Sequence, residues 1–283
     1  MKLIENLKKD QELKTISDGG FRYYYDSSID TGAFNHKISM TTAIGKLYPK
    51  GPELFDWGVK NGHWYKIIRD TAGVKGTIVH DAIHRCWQSY YARLKDPEDK
   101  YYDVNDDWIR IELAGNNSMN WQLENSPFQM VSSIKKYMES YFAWYSEFEP
   151  LCIASEFALY DKDHLLAGRT DQLYRMDIDG EEHLIIVDNK TGNKYDQHLV
   201  QTQGYAYIYN TYYAKPKGKV TKVATLYLKD KWVKKPTFGF KVYDYDPTAY
   251  LAFVDYFKTL FGEPKPKDRF KVRKSFQLKI KGK

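Results

Sequence analysis

The stretch from Ile153 to Lys190 constrains the fold of this chain most, because it has the pattern of consecutive β-strands. Polar turns at 161–164 and at Asp179-Gly180 divide it into runs of strand-forming residues. A short Asp-Gly turn between two such runs is typical of a β-hairpin. The pattern therefore predicts three consecutive strands, at 153–160, 165–177 and 184–190.

Helices are predicted on both sides of these strands. Apolar residues recur at helical spacing over 72–94, as Val79, Ile83 and Trp87 illustrate. Further segments are predicted in chain order: helices at 128–147 and 197–213, strands at 221–229 and 238–244, and a last helix from Pro247 to about Phe261. The order α, β, β, β, α, β predicts an α/β (α+β) fold, in which helices flank a mixed central sheet.

We expect one main domain over residues 1–263, since a chain of 283 residues can bury a substantial core. Its N-terminal part is predicted to be helical. An acidic, aromatic insertion at about 96–127 is broken by Asn and Gly and is expected to have weak regular structure. A basic tail follows at 264–283, where alternating Phe276, Leu278 and Ile280 also permit a last strand.

The positive charge lies late in the chain. Residues 215–235 hold eight lysines and one acid, and residues 264–283 hold nine lysines or arginines and one acid, although the whole chain carries only +6. One interpretation is a surface that binds a polyanion beside an acidic body. The other is a solvated lysine-rich face with a frayed tail.

Cysteine content and hydropathy exclude several classes of protein. Two cysteines are too few for a disulfide scaffold, an iron–sulfur cluster or a four-cysteine zinc site. No long apolar run suggests a membrane span, and the N-terminus lacks the pattern of a secretory signal. We therefore expect a cytoplasmic protein with reduced thiols and no membrane partner.

Charged residues end the third predicted strand. Side chains alternate along a strand, so Asp188 and Lys190 share a face with Ile186. If Asp179-Gly180 is a two-residue turn, counting back along the hairpin sets Asp171 opposite Asp188, with Cβ atoms about 4.5–5.5 Å apart. Two such carboxylates repel unless a cation lies between them, and carboxylate oxygens suit Mg²⁺. Alternatively, these residues simply end a solvated strand.

Six short motifs follow one another in the sequence. They are Ser39-Met40-Thr41-Thr42 (S-x-T-T), Gly76 to His80 (G-T-x-x-H), the acid Glu156, Gly168 to Asp171 (G-x-x-D), Asp188 to Thr191 (D-x-K-T) and Gln201 to Tyr205 (Q-x-x-x-Y). In this order they resemble the PD-(D/E)XK nucleases. The resemblance is to the RecB-like exonuclease branch, which includes phage exonucleases and the mitochondrial genome maintenance exonuclease. It implies a restriction-endonuclease-like core.

The resemblance also implies roles for the matching residues. His80, Asp171, Asp188 and the Asn189 carbonyl would hold Mg²⁺ or Mn²⁺, with Glu156 assisting. Lys190 would serve the attacking water. Gln201 and Tyr205 would hold the substrate strand or Lys190 in place. Contacts to DNA are expected from Ser39, Thr41, Thr42, Lys271 and Arg273.

The implied activity is metal-dependent cleavage of DNA, most simply by an exonuclease on single-stranded or frayed ends in phage-type replication, recombination or DNA processing. A structure-specific endonuclease and a non-catalytic nucleic-acid-binding protein are the alternatives.

Three features leave local alternatives. His80 and His84 lie four residues apart, as in helical zinc sites, but Asp81 stands where H-E-x-x-H has glutamate. Gln203 and Tyr207 repeat the spacing of Gln201 and Tyr205. Only one of these pairs can face the site, since they lie about 200° apart on a helix. The region of Trp57, Trp64 and Tyr65 suits either a nucleic-acid strand or packing.

Overall fold

The structure is a computed structural model that describes residues 13–26, 36–48, 52–95, 104–116, 122, 125–164, 166–214 and 218–265. Most of the basic tail, with Lys271, Arg273 and the alternating segment from Phe276 to Ile280, lies outside the described residues. The division between a domain at 1–263 and a tail at 264–283 therefore stays a prediction.

A mixed sheet flanked by helices forms the described fold, as the sequence predicts. Its strands are β1 (Leu13–Asp18), β2 (Phe21–Asp26), β3 (Lys37–Ser39), β4 (Leu151–Tyr160), β5 (Leu166–Ile178), β6 (Glu181–Lys190), β7 (Lys222–Leu228) and β8 (Phe238–Asp244). The helices are α1 (Met40–Leu47), α2 (Pro52–Asn61), α3 (Tyr65–Lys95), α4 (Asp106–Gly115), α5 (Pro127–Phe148), α6 (Gln197–Tyr212) and α7 (Thr248–Phe261), with a 3₁₀ turn at Gly62–Trp64.

The strand order is β1-β2-β3-β5-β6-β7-β8, and β4 pairs with β5. Strands β4, β5 and β6 are antiparallel neighbours, whereas β7 runs parallel to β6 after the crossover through α6. The segment β4, β5, β6, α6, β7 reproduces the predicted core order.

The hairpin of β5 and β6 has the register predicted from the sequence. Asp179 and Gly180 have φ of 57° and 86°, as a two-residue turn with left-handed central residues requires. Ile178 pairs with Glu181, and the register continues unchanged to Gln172 opposite Val187. Asp171 and Asp188 are the next residues of the two strands.

Each face of the sheet packs against its own set of helices. Leu184 and Ile186 belong to a core shared with α1, α6 and α7, while Ile185 and Val187 belong to a core shared with α3, α4 and α5. Because β6 is buried on both faces, it is a nearly continuous apolar run. The polar end of β6, formed by Asp188, Asn189 and Lys190, therefore lies among packed residues.

The N-terminal part departs from the helical prediction, because it contributes β1, β2 and β3 as well as α1 and α2. β1 and β2 join at Gly19 and Gly20, whose φ values of 57° and 78° suit a tight turn. β3 is only three residues long and pairs in parallel with the start of β5, more than a hundred residues later in the chain. A pattern of three residues is too short to predict such a partner.

Part of the predicted irregular insertion is also regular. Asn105 caps α4 by accepting a hydrogen bond from the Trp108 backbone N–H at 2.9 Å. Trp108, Ile109 and Leu113 are buried against neighbouring helices. Tertiary packing therefore stabilises a helix in a segment whose Asn and Gly content predicted only weak regular structure.

Cys86 and Cys152 carry thiols rather than forming a disulfide. Among the helices that the structure describes, none combines the length and the apolar character needed to cross a bilayer.

Candidate metal centre

Three side chains from three separate elements form the candidate metal centre. His80 lies on α3, Glu156 on β4 and Asp171 on β5, and one ligand atom of each lies within 4.8 Å of the others. His80 Nδ1 is 3.2 Å from Asp171 Oδ1 and 3.7 Å from Glu156 Oε1. An imidazole and two carboxylates are donors that suit divalent transition metals, and carboxylates also suit Mg²⁺.

The backbone of β4 is unusual at Glu156. Its φ is 51°, in the left-handed region, which is uncommon for a residue other than glycine. On either side, Ser155 pairs with Gln172 and Phe157 pairs with Thr170, so Glu156 lies beside Asp171. Such strain costs on the order of 1–3 kcal/mol and is found most often at functional sites.

At these three residues, burial and neighbouring opposite charges shift the pKa in opposite directions. Burial alone would lower the pKa of His80, but Asp171 and Glu156 outweigh it and hold that pKa well above its usual value. Burial would raise the pKa of Asp171, but the positive charges of His80 and Lys190 keep it below its usual value. The pKa of Glu156 is raised, mainly by burial and also by Asp171.

Asp188 and Lys190 form a buried ion pair next to this group. Lys190 Nζ lies 2.5 Å from Asp188 Oδ2, and Asp188 is only 1% exposed. Burial and the neighbouring Asp171 raise the pKa of Asp188 to about 6, although Lys190 opposes the shift. Burial would lower the pKa of Lys190, but the two aspartates outweigh burial and raise that pKa. Asp188 does not belong to the three-residue group around His80.

Asn189 connects the two groups through its backbone. Its N–H donates to Asp171 Oδ2 at 2.6 Å, which fixes that carboxylate against β6. Its side-chain amide donates to Gln172 Oε1 at 2.6 Å, on the opposite face of the sheet from Asp188. The predicted role of the Asn189 carbonyl as a metal ligand stays a proposal.

Gln201, rather than Gln203, faces the site. Gln201 Nε2 lies 3.4 Å from Asp188 Oδ1 and 3.2 Å from the Tyr205 hydroxyl. Gln203 instead donates to the Asp244 carbonyl and accepts from the Asp246 N–H. Gln201 and Tyr205 are buried, so Gln201 contacts Asp188 and Tyr205 contacts Gln201 away from an open surface.

Two glycines of the sequence motifs allow close packing at the site. A Cβ on Gly168 would lie 2.5 Å from Tyr205 Cε1, so the Tyr205 ring requires glycine on β5. A Cβ on Gly76 would lie 3.1 Å from Thr191 Oγ1, which brings α3 against the residue after Lys190. The motifs around Gly76, Gly168, Asp188 and Gln201 thus meet in space.

The Ser39 motif contacts an arginine that the sequence reasoning missed. Arg22 on β2 donates to Ser39 Oγ and to Thr41 Oγ1, both at 2.8 Å, and the two hydroxyls are 2.9 Å apart. Thr41 is exposed, Ser39 is buried and Thr42 is partly buried. Only a search for a basic residue on a strand near Ser39 would have indicated Arg22, because 17 residues separate the two.

His84 and the Trp57–Tyr65 region are the remaining sequence candidates. His84 Nδ1 lies 3.0 Å from Ser155 Oγ, and burial together with Arg169 lowers the pKa of His84 to about 4. His84 is not in the group that gathers around His80. Trp64 is 44% exposed in the segment that leads into α3, and Trp57 is partly buried.

A divalent ion fits the residues present. With its raised pKa, His80 carries a positive charge in the absence of an ion, and together with Lys190 it offsets two of the three charges of ionised Glu156, Asp171 and Asp188. An imidazole that binds a metal must give up that proton, which leaves two negative charges in a largely buried site for the ion to compensate. Glu156 Oε1 is buried and has no hydrogen-bond partner among the described residues. His80, Glu156 and Asp171 would therefore hold the ion.

No curated protein was found to match the sequence. A solved structure titled "Crystal structure of SSO0001" shares 14% identity over 62% of this chain and 85% of that chain, with a TM-score of 0.27. At this identity and TM-score the likeness does not indicate a shared function.

The family profile described as "PD-(D/E)XK nuclease superfamily" matches residues 65–278. That span begins with α3 and includes His80, the hairpin and α6. Nucleases of this superfamily use divalent metal ions, in agreement with the acidic and histidine group found here. Since the match covers more than half of the sequence, the chain belongs to the PD-(D/E)XK nuclease superfamily.

Proposed function

We propose that this protein is a Mg²⁺- or Mn²⁺-dependent DNA exonuclease that acts on single-stranded or frayed ends, in phage-type replication, recombination or DNA processing. The observation that carries the proposal is the cluster of His80, Glu156 and Asp171 beside the Asp188–Lys190 ion pair. The preference for ends rests on the resemblance of the ordered motifs to RecB-like exonucleases.

A bound divalent ion would supply Lewis-acid polarisation of a phosphate oxygen and a lowered pKa for a bound water. The chain's own residues orient the reacting groups. Because its pKa is raised, Lys190 keeps its charge at neutral pH. It would therefore act as a hydrogen-bond donor to the attacking water or to the negative charge that develops on the phosphate, rather than as a base.

Asp188 and the Asn189 carbonyl would complete the ligands of the ion beside Asp171, as the motifs imply, and Asp188 would also position Lys190 together with Gln201 and Tyr205. Asp188 holds the Lys190 ammonium, and Gln201 lies within reach of Asp188 and Tyr205. A side chain fixed in this way needs little reorganisation during the reaction, which is how preorganised polar groups lower a barrier.

Arg22, Ser39 and Thr41 would contact a backbone phosphate of the substrate. A guanidinium group and two hydroxyls within 2.9 Å of one another offer several donors to one anion. The pairs that they now make with each other keep them oriented. Thr42 is proposed as a further phosphate contact on the basis of the sequence motif alone.

Digestion of end-labelled DNA tests the proposal. Linear and circular single and double strands, labelled at the 5′ or the 3′ end, are incubated with Mg²⁺ or Mn²⁺, and Asp188→Ala serves as the control. We expect stepwise degradation of linear strands and no degradation of circles. Cleavage of circles would instead identify an endonuclease. A wild-type protein that cleaves no more than Asp188→Ala would identify a nucleic-acid-binding protein without nuclease activity.

A further inference from the structure

The described part of the lysine-rich segment, residues 218–235, does not form one continuous surface, because β7 occupies residues 222–228 in its middle. β7 runs parallel to β6, with Lys222 opposite Ile185 and Tyr227 opposite Lys190. Residues 229–235, which we name the lysine loop, therefore leave the sheet at the end where Asp188 and Lys190 lie. Lys219 and Lys222 lie toward the other end.

Helix α5 anchors this loop. Ser133 donates to Asp230 Oδ2 at 2.7 Å, and Ser140 donates to the Thr237 carbonyl at 2.6 Å and accepts from the Lys229 N–H at 3.0 Å. The same helix reaches the catalytic motif, since the Tyr137 hydroxyl donates to the Thr191 carbonyl at 3.1 Å. One rigid helix thus fixes both the lysine loop and the residue that follows Lys190.

The lysine loop carries an uncompensated positive charge. Lys229, Lys231, Lys234 and Lys235 are accompanied by one acid, Asp230, which Ser133 holds against α5. None of the four lysines forms an ion pair within the part of the chain that the structure describes. Two further lysines extend the patch, since Lys136 lies over the Trp232 ring and Lys194 over the Tyr227 ring.

The opposite end of the sheet has the opposite charge. Six carboxylates around the β5–β6 turn and the end of β8 outnumber the three described basic residues there, which are Arg175, Lys219 and Lys222; the six are Asp177, Asp179, Glu181, Glu182, Asp244 and Asp246. The Lys222 side chain at that end is already paired with Asp244 at 2.7 Å. A polyanion is therefore attracted to one end of the sheet and repelled from the other.

We infer that the lysine loop, together with Lys136 and Lys194, binds the backbone phosphates of the DNA strand that enters or leaves the cleavage centre. The inference rests on the proposed function and specifies which half of the lysine-rich segment contacts the substrate. Lysines on phosphates position a strand without reading its sequence, so the contact suits a nuclease that acts on any sequence.

Two matched double variants test the inference. Lys234→Gln/Lys235→Gln removes charge from the lysine loop, and Lys219→Gln/Lys222→Gln removes the same charge near the start of β7. Binding of a fluorescent oligothymidylate is measured by anisotropy in EDTA at several salt concentrations. Each contact with a single-stranded phosphate contributes about 0.7 to the slope of log affinity against log salt. We expect the loop variant to lower that slope by about 1.4 and the affinity by about tenfold.

The control variant, Lys219→Gln/Lys222→Gln, is expected to have the same affinity and the same salt slope as the wild type. The inference would be overturned by equal losses of affinity in the two variants, by no loss of affinity in the loop variant, or by no binding of the wild type. Hydrolysis of bis(p-nitrophenyl) phosphate with Mn²⁺ is measured in parallel and should be equal in all three proteins, since it needs no long strand. If the wild type hydrolyses neither this diester nor DNA, the proposed function fails, while the metal-free binding comparison still decides the role of the loop.

Discussion

Asp171 is the side chain on which the contacts of the site converge. It faces His80 through Oδ1, accepts the Asn189 N–H through Oδ2 and lies beside Glu156 on the neighbouring strand. Asp188, although it follows almost opposite in the hairpin, is turned toward Lys190 and Gln201. The two aspartates thus have different nearest contacts in the structure, and their predicted sharing of one metal ion stays a prediction.

This division predicts different consequences for two substitutions. Asp171→Asn should abolish measurable Mn²⁺ binding by calorimetry, because it removes a carboxylate of the metal group. Lys190→Ala should leave Mn²⁺ binding nearly unchanged and lower the cleavage rate by roughly 10²–10³-fold, the range for loss of one hydrogen-bond donor to a developing negative charge.

His84→Asn serves as the control, because His84 contacts Ser155 and lies outside the metal group. It should bind Mn²⁺ like the wild type. Loss of Mn²⁺ in His84→Asn would favour the helical two-histidine site instead.

His198 makes stability depend on pH. Burial, and then the charge of Lys190, lowers its pKa from 6.5 to about 4. Between these values the unfolded chain binds a proton that the folded chain does not, so stability should fall as the pH drops from 6.5 toward 4. His198→Asn should flatten this dependence in urea unfolding curves measured at pH 7 and pH 5. An unchanged difference between the two pH values would contradict the assignment.

Among the secondary-structure elements, β5 and α6 depend on each other most closely at the site. Gly168 on β5 lets the Tyr205 ring of α6 lie against the backbone, and Tyr205 in turn contacts Gln201. The exposed Gly73 on α3 is different, because a Cβ there would meet nothing within 4 Å.

Gly168→Ala should therefore destabilise the protein by about 1–3 kcal/mol, the usual cost of overpacking a core. It should also lower activity by displacing Tyr205. Gly73→Ala should stabilise the protein by about 0.5–1 kcal/mol, because alanine loses less backbone freedom than glycine in a helix. Thermal melting of both variants measures these effects, and a stable Gly168→Ala would show that Tyr205 can shift at little cost.

Considered as a whole, the molecule combines a sheet of asymmetric charge with a basic C-terminus. Deleting 264–283 removes nine basic residues and one acid. If the tail contacts phosphates, the deletion should weaken DNA binding and flatten its salt dependence. Anisotropy titrations of the truncated protein at several salt concentrations measure this, and a salt slope equal to that of the full chain would show that the tail is only solvated.

Local sequence patterns were sufficient for the central elements. The β5–β6 register followed from the Asp179-Gly180 turn and from alternation along each strand, because both are properties of neighbouring residues. The same reasoning assigned Asp188 and Lys190 to one face of β6. It could not predict β3, because a strand of three residues is stabilised by its distant partner on β5.

The sequence by itself determined the order of the core elements, the register of the hairpin and the residue types available for a metal centre, since these depend on local periodicity and turn chemistry. The motif resemblance named His80 and Glu156 together with Asp171, and the tertiary structure brings the three side chains together. Only the tertiary structure decided that Arg22 joins Ser39 and that the lysine-rich segment is divided between two ends of the sheet. These contacts join residues far apart in the chain, and the packing of both sheet faces brings them together.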